Sequence, residues 1–114
     1  VVLDEQGEVV LVLGASGGST IISSVLQVLL DVLEFGMDPQ EAVAAPRMHH
    51  QWLPDELVVE PDFPEDVRVA LEERGHTVVV REAYSSVQVL HAAEDRVEGG
   101  ADPRKGGWPA GVGR

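Results

Sequence analysis

The sequence contains no cysteine. Disulfides, thiolate metal sites and a cysteine nucleophile are therefore excluded, while the redox compartment stays open. Basic residues are scarce, because 8 Lys and Arg stand against 20 Asp and Glu and give a formal net charge of −12. A chain of that charge repels phosphate, which argues against nucleic acid or an anionic membrane as partner. No apolar run reaches the roughly 18 residues that a membrane-spanning helix needs.

Apolar sequence is plentiful, with 44% hydrophobic residues in a chain of 114. This is enough for one soluble folded domain or for one piece of a larger domain. The chain begins Val1-Val2-Leu3, without a starting methionine or a signal peptide. We therefore expect it to be a fragment of a longer protein.

The most informative stretch is Gly14-Ala15-Ser16-Gly17-Gly18-Ser19. It follows the apolar run 9–13 and precedes the long apolar segment 20–35, so strand, turn and helix are expected in that order. The first N–H groups of a helix have no intrahelical partner and lie at the positive end of its dipole. Two adjacent glycines let an oxygen approach these N–H groups without meeting a Cβ. Gly17 and Gly18 therefore predict an oxyanion-binding pair, and a tight turn without a ligand is the alternative.

The segment 20–35 is apolar at nearly every position outside a narrow polar stripe. Such a helix is expected to lie between layers rather than on a surface. Ser19 or Thr20 is predicted to cap its start, and Gly36 to end it. The strand at 9–13 is apolar at five successive positions, so both its faces should also be covered. Large partner surfaces outside this chain are therefore implied.

The rest of the chain predicts short strands and short helices. A hairpin with Gly7 in its turn joins 1–3 to 9–13. Helices are expected from Asp38-Pro39 to Pro46 and from Pro64 to Gly75. Further strands are expected at 56–60, 77–82, 86–92 and 96–98, followed from Gly99 by an irregular tail whose residues 105–114 are flexible. This mixture indicates an α+β fold.

Gly14 to Gly18 also fits G-x-S-x-G, the nucleophile elbow of α/β-hydrolases. A small esterase with Ser16 as nucleophile would need an acid, Asp55 or Asp66, and a histidine, His76 or His91. Such short glycine-containing patterns arise often by chance in a glycine-rich chain.

For the remaining polar residues that could have a function, the sequence favours structural roles. His49 and His50 point to opposite faces of an extended segment, so packing and hydrogen bonding are favoured over a shared metal ion. Arg47 and Arg104 are expected to pair with internal carboxylates, although a substrate carboxylate is an alternative partner.

Three blocks, in this order, resemble the γ-glutamyltransferases (γ-glutamyltranspeptidases): Gly14 to Ile22, Ala44 to Glu56, and Gly100 to Arg104. The resemblance runs from about residue 9 to about residue 104 and implies an N-terminal-nucleophile hydrolase with an αββα four-layer sandwich. Members of that family are precursors that cleave themselves into a large and a small subunit. The new N-terminal Thr then attacks a γ-glutamyl carbonyl, with its own α-amine as base. The acyl group passes to water or to an amino acid or peptide.

By this resemblance, residues 1–104 are the C-terminal part of the small subunit, and the oxyanion hole is formed by the backbone N–H groups of Gly17 and Gly18. Ser16 beside them is assigned to substrate binding. The family often has Pro at Ser16 and Gly at Ser85, which puts the local backbone at both positions in question. No residue here matches the nucleophilic Thr, so the chain alone is expected to be inactive.

No cofactor or metal is expected. The expected partners are the upstream small-subunit segment, the large subunit and a γ-glutamyl small molecule of the glutathione type, and a lone fragment is expected to self-associate. The resemblance suggests a periplasmic or extracellular location. A non-catalytic homologue, kept for binding or assembly, is a further alternative.

Overall fold

The described residues form two sheets and three α-helices. The computed structural model describes residues 1–82 and 85–110. The first sheet has the order β1 (Val2–Leu3), β2 (Val9–Ser16), β6 (Ser86–Ala92), β7 (Val97–Ala101), and all its neighbours are antiparallel. The second has the order β3 (Met48–His49), β4 (Leu57–Val59), β5 (Val78–Val80), with β4 and β5 parallel. The helices are α1 (Ile21–Leu33), α2 (Pro39–Ala44) and α3 (Glu65–Glu73), so the predicted α+β class is confirmed.

The core lies between the first sheet and the two helices α1 and α2. It is formed by aliphatic side chains from both layers: Leu11, Val28, Val32, Ala42, Val43, Val87 and Val89. Side chains alternate along a strand, so Leu11 points into this core while its neighbour Val12 points away and is 38% exposed. In the described part of this chain helices cover only one face of the sheet, so the predicted cover for the other face of β2 has to come from outside this chain.

Helix α1 shows the same one-sided packing. It buries Ser24, Val28 and Val32 against the sheet, while Ile22 is 79% and Leu26 53% exposed. The expected sandwich on both sides of this helix does not form within the chain. Where no described segment covers it, α1 presents an apolar stripe to solvent.

The sequence correctly predicted two helix ends, the start of α2 and the end of α1. The Asp38 side chain accepts hydrogen bonds from the N–H groups of Gln40 and Glu41, with Pro39 at the first position of α2, as its sequence predicts. Gly36 follows the end of α1 with φ +66°. The predicted side-chain cap of α1 is wrong, because Thr20 Oγ1 donates to the Gly17 carbonyl at 2.8 Å and no side chain accepts from the helix start.

The irregular tail begins after Ala101, the last residue of β7, and not at Gly99 as the sequence predicted. Gly99, Gly100 and Ala101 lie in β7 and pair with Leu90, Val89 and Gln88. A Cβ on Gly100 would lie 2.3 Å from the Pro39 carbonyl oxygen, so glycine here allows α2 to approach the strand closely. The prediction of irregular chain from Gly99 is therefore wrong for 99–101. Across the described residues no helix is both long and apolar enough to cross a membrane.

Candidate active site

The glycine pair lies where β2 passes into α1. Gly14, Ala15 and Ser16 still belong to the ladder with β6, so the turn is shorter than predicted and begins at Gly17. Gly17 has φ +140° and Gly18 has φ +61°, and a single 3-10 turn, Gly18–Thr20, then leads into α1. The predicted order of strand, glycine turn and helix is confirmed.

The two glycines differ in their surroundings. A Cβ on Gly17 would lie 2.7 Å from both Ser85 Cα and Ser85 Cβ and 2.8 Å from Thr20 Oγ1. A Cβ on Gly18 would meet no atom within 4 Å. Close packing against the start of β6 therefore requires glycine at 17, whereas the space beside Gly18 is open to an incoming group.

The polarity of the turn suits an anion. The Gly17 carbonyl accepts from Thr20 N–H at 3.3 Å and from Thr20 Oγ1 at 2.8 Å, and the Gly18 carbonyl accepts from Ile21 N–H. Among the turn, loop and side-chain hydrogen bonds of the described residues, neither Gly17 N–H nor Gly18 N–H donates. No acidic residue lies in the first turn of α1, although the chain has a net charge of −12. The positive end of the helix dipole is therefore not neutralised by a neighbouring side chain.

Behind the turn, Ser85 connects the glycines to a buried arginine. Ser85 Oγ lies 2.8 Å from Ser24 Oγ on α1, and the Ser85 carbonyl accepts from Arg47 Nη2 at 3.4 Å. Arg47 Nη2 also donates to Asp102 Oδ2 at 2.7 Å, and Asp102 is fully buried. Asp102 Oδ2 in turn accepts from Val87 N–H at 2.8 Å, which fixes the first residues of β6.

Arg104 completes this ion-pair network. It donates to Asp102 Oδ1 at 3.1 Å and to both carboxylate oxygens of Glu60, from Nε to Oε1 at 3.0 Å. Its other donors reach the carbonyls of Val43 at 2.7 Å and Ala45 at 2.8 Å, at the C-terminal end of α2 where a cation is favourable. The expectation that Arg47 and Arg104 pair with internal carboxylates is confirmed.

The network shifts the pKa values of two of its members, Asp102 and Arg104. Burial alone would raise the pKa of Asp102, but hydrogen bonds from the Val87 and Arg104 N–H groups, and the hydrogen bond and charge of Arg47, outweigh it and hold that pKa below its usual value. Burial would likewise lower the pKa of Arg104, but hydrogen bonds to Glu60 and Asp102 outweigh it and raise that pKa. Both groups are therefore charged at neutral pH.

The catalytic set proposed for an esterase is not brought together. Ser16 Oγ accepts from Lys105 Nζ at 3.0 Å, and no hydrogen bond joins it to a histidine among the described residues. His91 lies 3.5 Å from Glu98 on the neighbouring strand, and His76 and Asp66 are exposed. Asp55 pairs instead with His50 at 3.2 Å.

The two neighbouring histidines take separate partners. His49 Nδ1 lies 2.8 Å from Ser23 Oγ on α1, whereas His50 Nε2 lies 3.2 Å from Asp55 Oδ1. This agrees with the hydrogen-bonding role expected for both. Within 1–82 and 85–110, no three His, Asp or Glu side chains converge as a metal-ligand set.

An apolar hollow of about 650 Å³ lies on the outer face of the first sheet, beside the glycine turn. Its floor comes from residues of β2, β6 and β7 such as Val12, Gly14 and Leu90, and Lys105 and Pro109 lie at its edge. The alternation of β2 could have indicated this face, because Val12, Gly14 and Ser16 share one side of the strand. Nothing in the irregular segment around Lys105 indicated that it would reach Ser16.

Comparison with known proteins shows which family the chain resembles. The family model described as gamma-glutamyltranspeptidase matches residues 1–112. The chain is 44% identical over 101 residues to the glutathione hydrolase proenzyme of Escherichia coli, covering 88% of this chain and 17% of that protein. It is 34% identical over 123 residues to glutathione hydrolase 2 of Arabidopsis thaliana, covering 94% of this chain and 21% of that protein.

Solved structures give the same result. The γ-glutamyltranspeptidase of Pseudomonas nitroreducens complexed with L-DON superposes with a TM-score of 0.87 at 32% identity, over 99% of this chain and 61% of that chain. The chain therefore corresponds to only part of each of these relatives. The match to the family model extends over almost the whole sequence, from the first strand to beyond the Arg104 network. This chain belongs to the γ-glutamyltranspeptidase family, an N-terminal-nucleophile hydrolase family, as its sequence blocks predicted.

Proposed function

We propose that the chain is the C-terminal part of the small subunit of an enzyme that cleaves γ-glutamyl bonds, and that Gly17 and Gly18 supply its oxyanion hole. The main observation is the turn itself. Its two consecutive N–H groups, Gly17 and Gly18, lie at the start of the 3-10 turn that leads into α1, without an acceptor among the described turn, loop and side-chain hydrogen bonds. The names of the relatives, glutathione hydrolases, support the substrate class.

The proposed reaction needs an attacking group from the rest of the parent protein. An N-terminal Thr hydroxyl adds to the γ-glutamyl carbonyl carbon and gives its proton to the α-amine of the same residue. The carbonyl oxygen becomes negatively charged and receives hydrogen bonds from the Gly17 and Gly18 N–H groups. The C–N bond then breaks, the leaving amine takes up the proton, and water or an amino acid or peptide amine releases the acyl group.

In this proposal the two N–H groups of the turn contribute substantially to the reaction rate. Removing one oxyanion donor in acyl-transfer enzymes costs about 10²–10³ in kcat. The amides are held by covalent chain geometry, by the Thr20 contacts to the Gly17 carbonyl and by close packing on Ser85, so they need little reorganisation when charge develops. Ser16, whose hydroxyl lies on the open face beside the turn, is proposed to contact the substrate, with Lys105 Nζ 3.0 Å away adding positive charge.

The apolar surfaces that this chain leaves uncovered support the proposed partners. The outer face of the first sheet carries the 650 Å³ hollow, and α1 exposes Ile22 and Leu26. In an αββα sandwich a second sheet covers the first and further helices cover the outer layer. We therefore propose that the upstream small-subunit segment and the large subunit pack on these two surfaces.

A structure of the complete parent protein with a covalent γ-glutamyl-site inhibitor tests the proposal. The inhibitor oxygen that represents the oxyanion is expected about 2.7–3.1 Å from both the Gly17 and Gly18 nitrogens. An oxygen placed well away from both nitrogens contradicts the assignment. The isolated chain provides the control, since it is expected to show no γ-glutamyl hydrolysis or transfer.

A further inference from the structure

A small polar cavity lies behind the glycine turn, separate from the open hollow on the sheet. Its volume is about 30 Å³. Its lining is mostly hydrogen-bonding side chains from four segments, among them Thr20, Ser24, Arg47, Glu60 and Ser85. A cavity of this composition differs from the apolar cavities that stay dry in protein cores.

Arg47 is the residue whose hydrogen bonds are incomplete there. Its side chain is only 4% exposed, and Nη2 is fully used by Asp102 and the Ser85 carbonyl. Nε and Nη1 are buried and have no hydrogen-bond acceptor in the described part of the chain. A buried guanidinium N–H without an acceptor is costly, so such groups usually find ordered water when no protein atom is near.

The distance from Arg47 to Glu60 indicates the same occupant. Nε lies 3.7 Å from Glu60 Oε1, which is too long for a direct hydrogen bond. Glu60 also lines the cavity, so a water lying to one side of both groups can accept from Arg47 and donate to the carboxylate. Polar groups separated by this distance are commonly bridged by water.

Volume and charge identify the occupant. A water needs roughly 10–15 Å³ of such volume, so this cavity has room for two to three waters at most and is too small for phosphate or a carboxylate ligand. The lining itself pairs two arginines, Arg47 and Arg81, with two carboxylates, Glu60 and Glu82. Behind it Arg104 is likewise paired with Asp102, so the cluster offers no excess positive charge to a small anion such as chloride. We propose that one or two ordered waters occupy this cavity, accept hydrogen bonds from Arg47 Nε or Nη1, and complete the support behind Ser85.

This hydration site does not depend on the proposed reaction. It completes the hydrogen bonding of an arginine that holds the Ser85 carbonyl, and Ser85 Cα and Cβ are the atoms against which Gly17 packs. The site is therefore a structural support for the turn, whatever ligand the turn binds.

The direct test is a crystal structure of the complete parent protein at about 1.8 Å or better. One or two solvent peaks are expected within hydrogen-bond distance of Arg47 Nε or Nη1, one of them also near Glu60. An empty cavity, or Nε and Nη1 both bonded directly to protein acceptors, would overturn the inference.

A cavity-filling variant gives a second test, because it should lower the stability of the protein if the cavity holds water and should not lower it if the cavity is dry. Val58 lines the cavity, and Val58→Ile adds one methylene that would displace the water. Val79→Ile is the matched control, because Val79 is the register partner of Val58 on β5, is similarly half-buried, and does not line the cavity. The Val58→Ile midpoint of denaturant unfolding is expected to fall clearly below that of the control. An equal or higher midpoint contradicts the proposal, since filling a dry cavity stabilises or leaves stability unchanged.

Discussion

Gly17→Ala is the substitution for which the structure makes the sharpest prediction. The new Cβ would lie 2.7 Å from Ser85 Cα, about 0.7 Å inside the 3.4 Å at which ordinary contact begins. Because a main-chain atom cannot rotate away, the turn or the start of β6 must shift by several tenths of an ångström. The φ of +140° adds strain, which for a residue in a sparsely populated backbone region is about 1–3 kcal/mol.

The consequence for turnover follows from how sensitive catalysis is to position. A misplacement of roughly 1 Å can cost about 10²-fold in rate, so a shift of several tenths is expected to reduce kcat by about 10- to 10²-fold. Gly36→Ala, just after the end of α1 and away from the glycine turn, is the matched control. Its φ of +66° costs an alanine about 1–2 kcal/mol, but its Cβ meets nothing within 4 Å and the Gly17 and Gly18 N–H groups stay in place.

The assay is γ-glutamyl hydrolysis by the complete parent protein, measured as kcat and KM, beside denaturant unfolding of both variants. Both variants are expected to lose stability, while Gly17→Ala loses at least about tenfold more kcat than Gly36→Ala. If Gly17→Ala retains the kcat of the wild type, or if the variants lose kcat equally, then the position of the Gly17 amide does not matter for the reaction.

Four further predictions concern charge, association and Ser16. Asp102→Asn is expected to lower the free energy of unfolding by about 3–5 kcal/mol at pH 7, because it leaves the charge of Arg47 partly unpaired. The folded pKa of Asp102 is lowered, so the stability that its charge contributes is fully present above pH 3.8 and is lost as pH falls through the lower folded pKa. Unfolding titrations of the variant should lack this acid-induced loss of stability. Asp31→Asn should raise stability at pH 7 and give no gain below pH 3.8, because burial raises the pKa of Asp31 and makes its charged form unfavourable; a pH-independent effect contradicts this. The isolated chain should self-associate through the exposed side of α1 at Ile22 and Leu26, and a monodisperse monomer in sedimentation refutes that. Ser16→Ala should keep kcat within about tenfold and Ser16 should resist fluorophosphonate labelling, whereas complete loss of activity would revive the esterase alternative.

Local sequence signals predicted much of the fold. The hairpin between β1 and β2 was indicated by Gly7, which has φ +86°. In the structure the Asp4 carboxylate also accepts hydrogen bonds from two N–H groups of this turn. The start of α2 and the ends of α1 and α3 were set by Asp38, Pro39, Gly36 and Gly75 in the ways those residues usually act. These features depend on neighbours in sequence, so sequence alone could predict them.

Features that depend on distant contacts were missed. Gly99 and Gly100 were predicted to begin an irregular tail because glycine-rich segments often lack regular structure, but Gly100 is needed where Pro39 of α2 touches the strand. The Ser16–Lys105 contact joins residues 89 positions apart, and no periodicity reports such a pair. Likewise the prediction that Arg47 pairs with a carboxylate did not identify Asp102, because the partner is fixed by the folded topology. The residues 83–84 and 111–114, including Tyr84 and part of the predicted tail, lie outside the described residues.

Arg104 ties together segments that are synthesised at very different times. Through one guanidinium it joins the end of α2 to Glu60 and to Asp102, 44 and 2 positions away, and Asp102 holds the first amide of β6 beyond Ser86. On a ribosome, where the N-terminal part emerges first, the earlier helices and strands can collapse on one another but cannot reach this arrangement until residues 102–104 have left the exit tunnel. Completion of the fold behind the glycine turn therefore follows the synthesis of residues 102–104 and requires a loop closure between that segment and the middle of the chain.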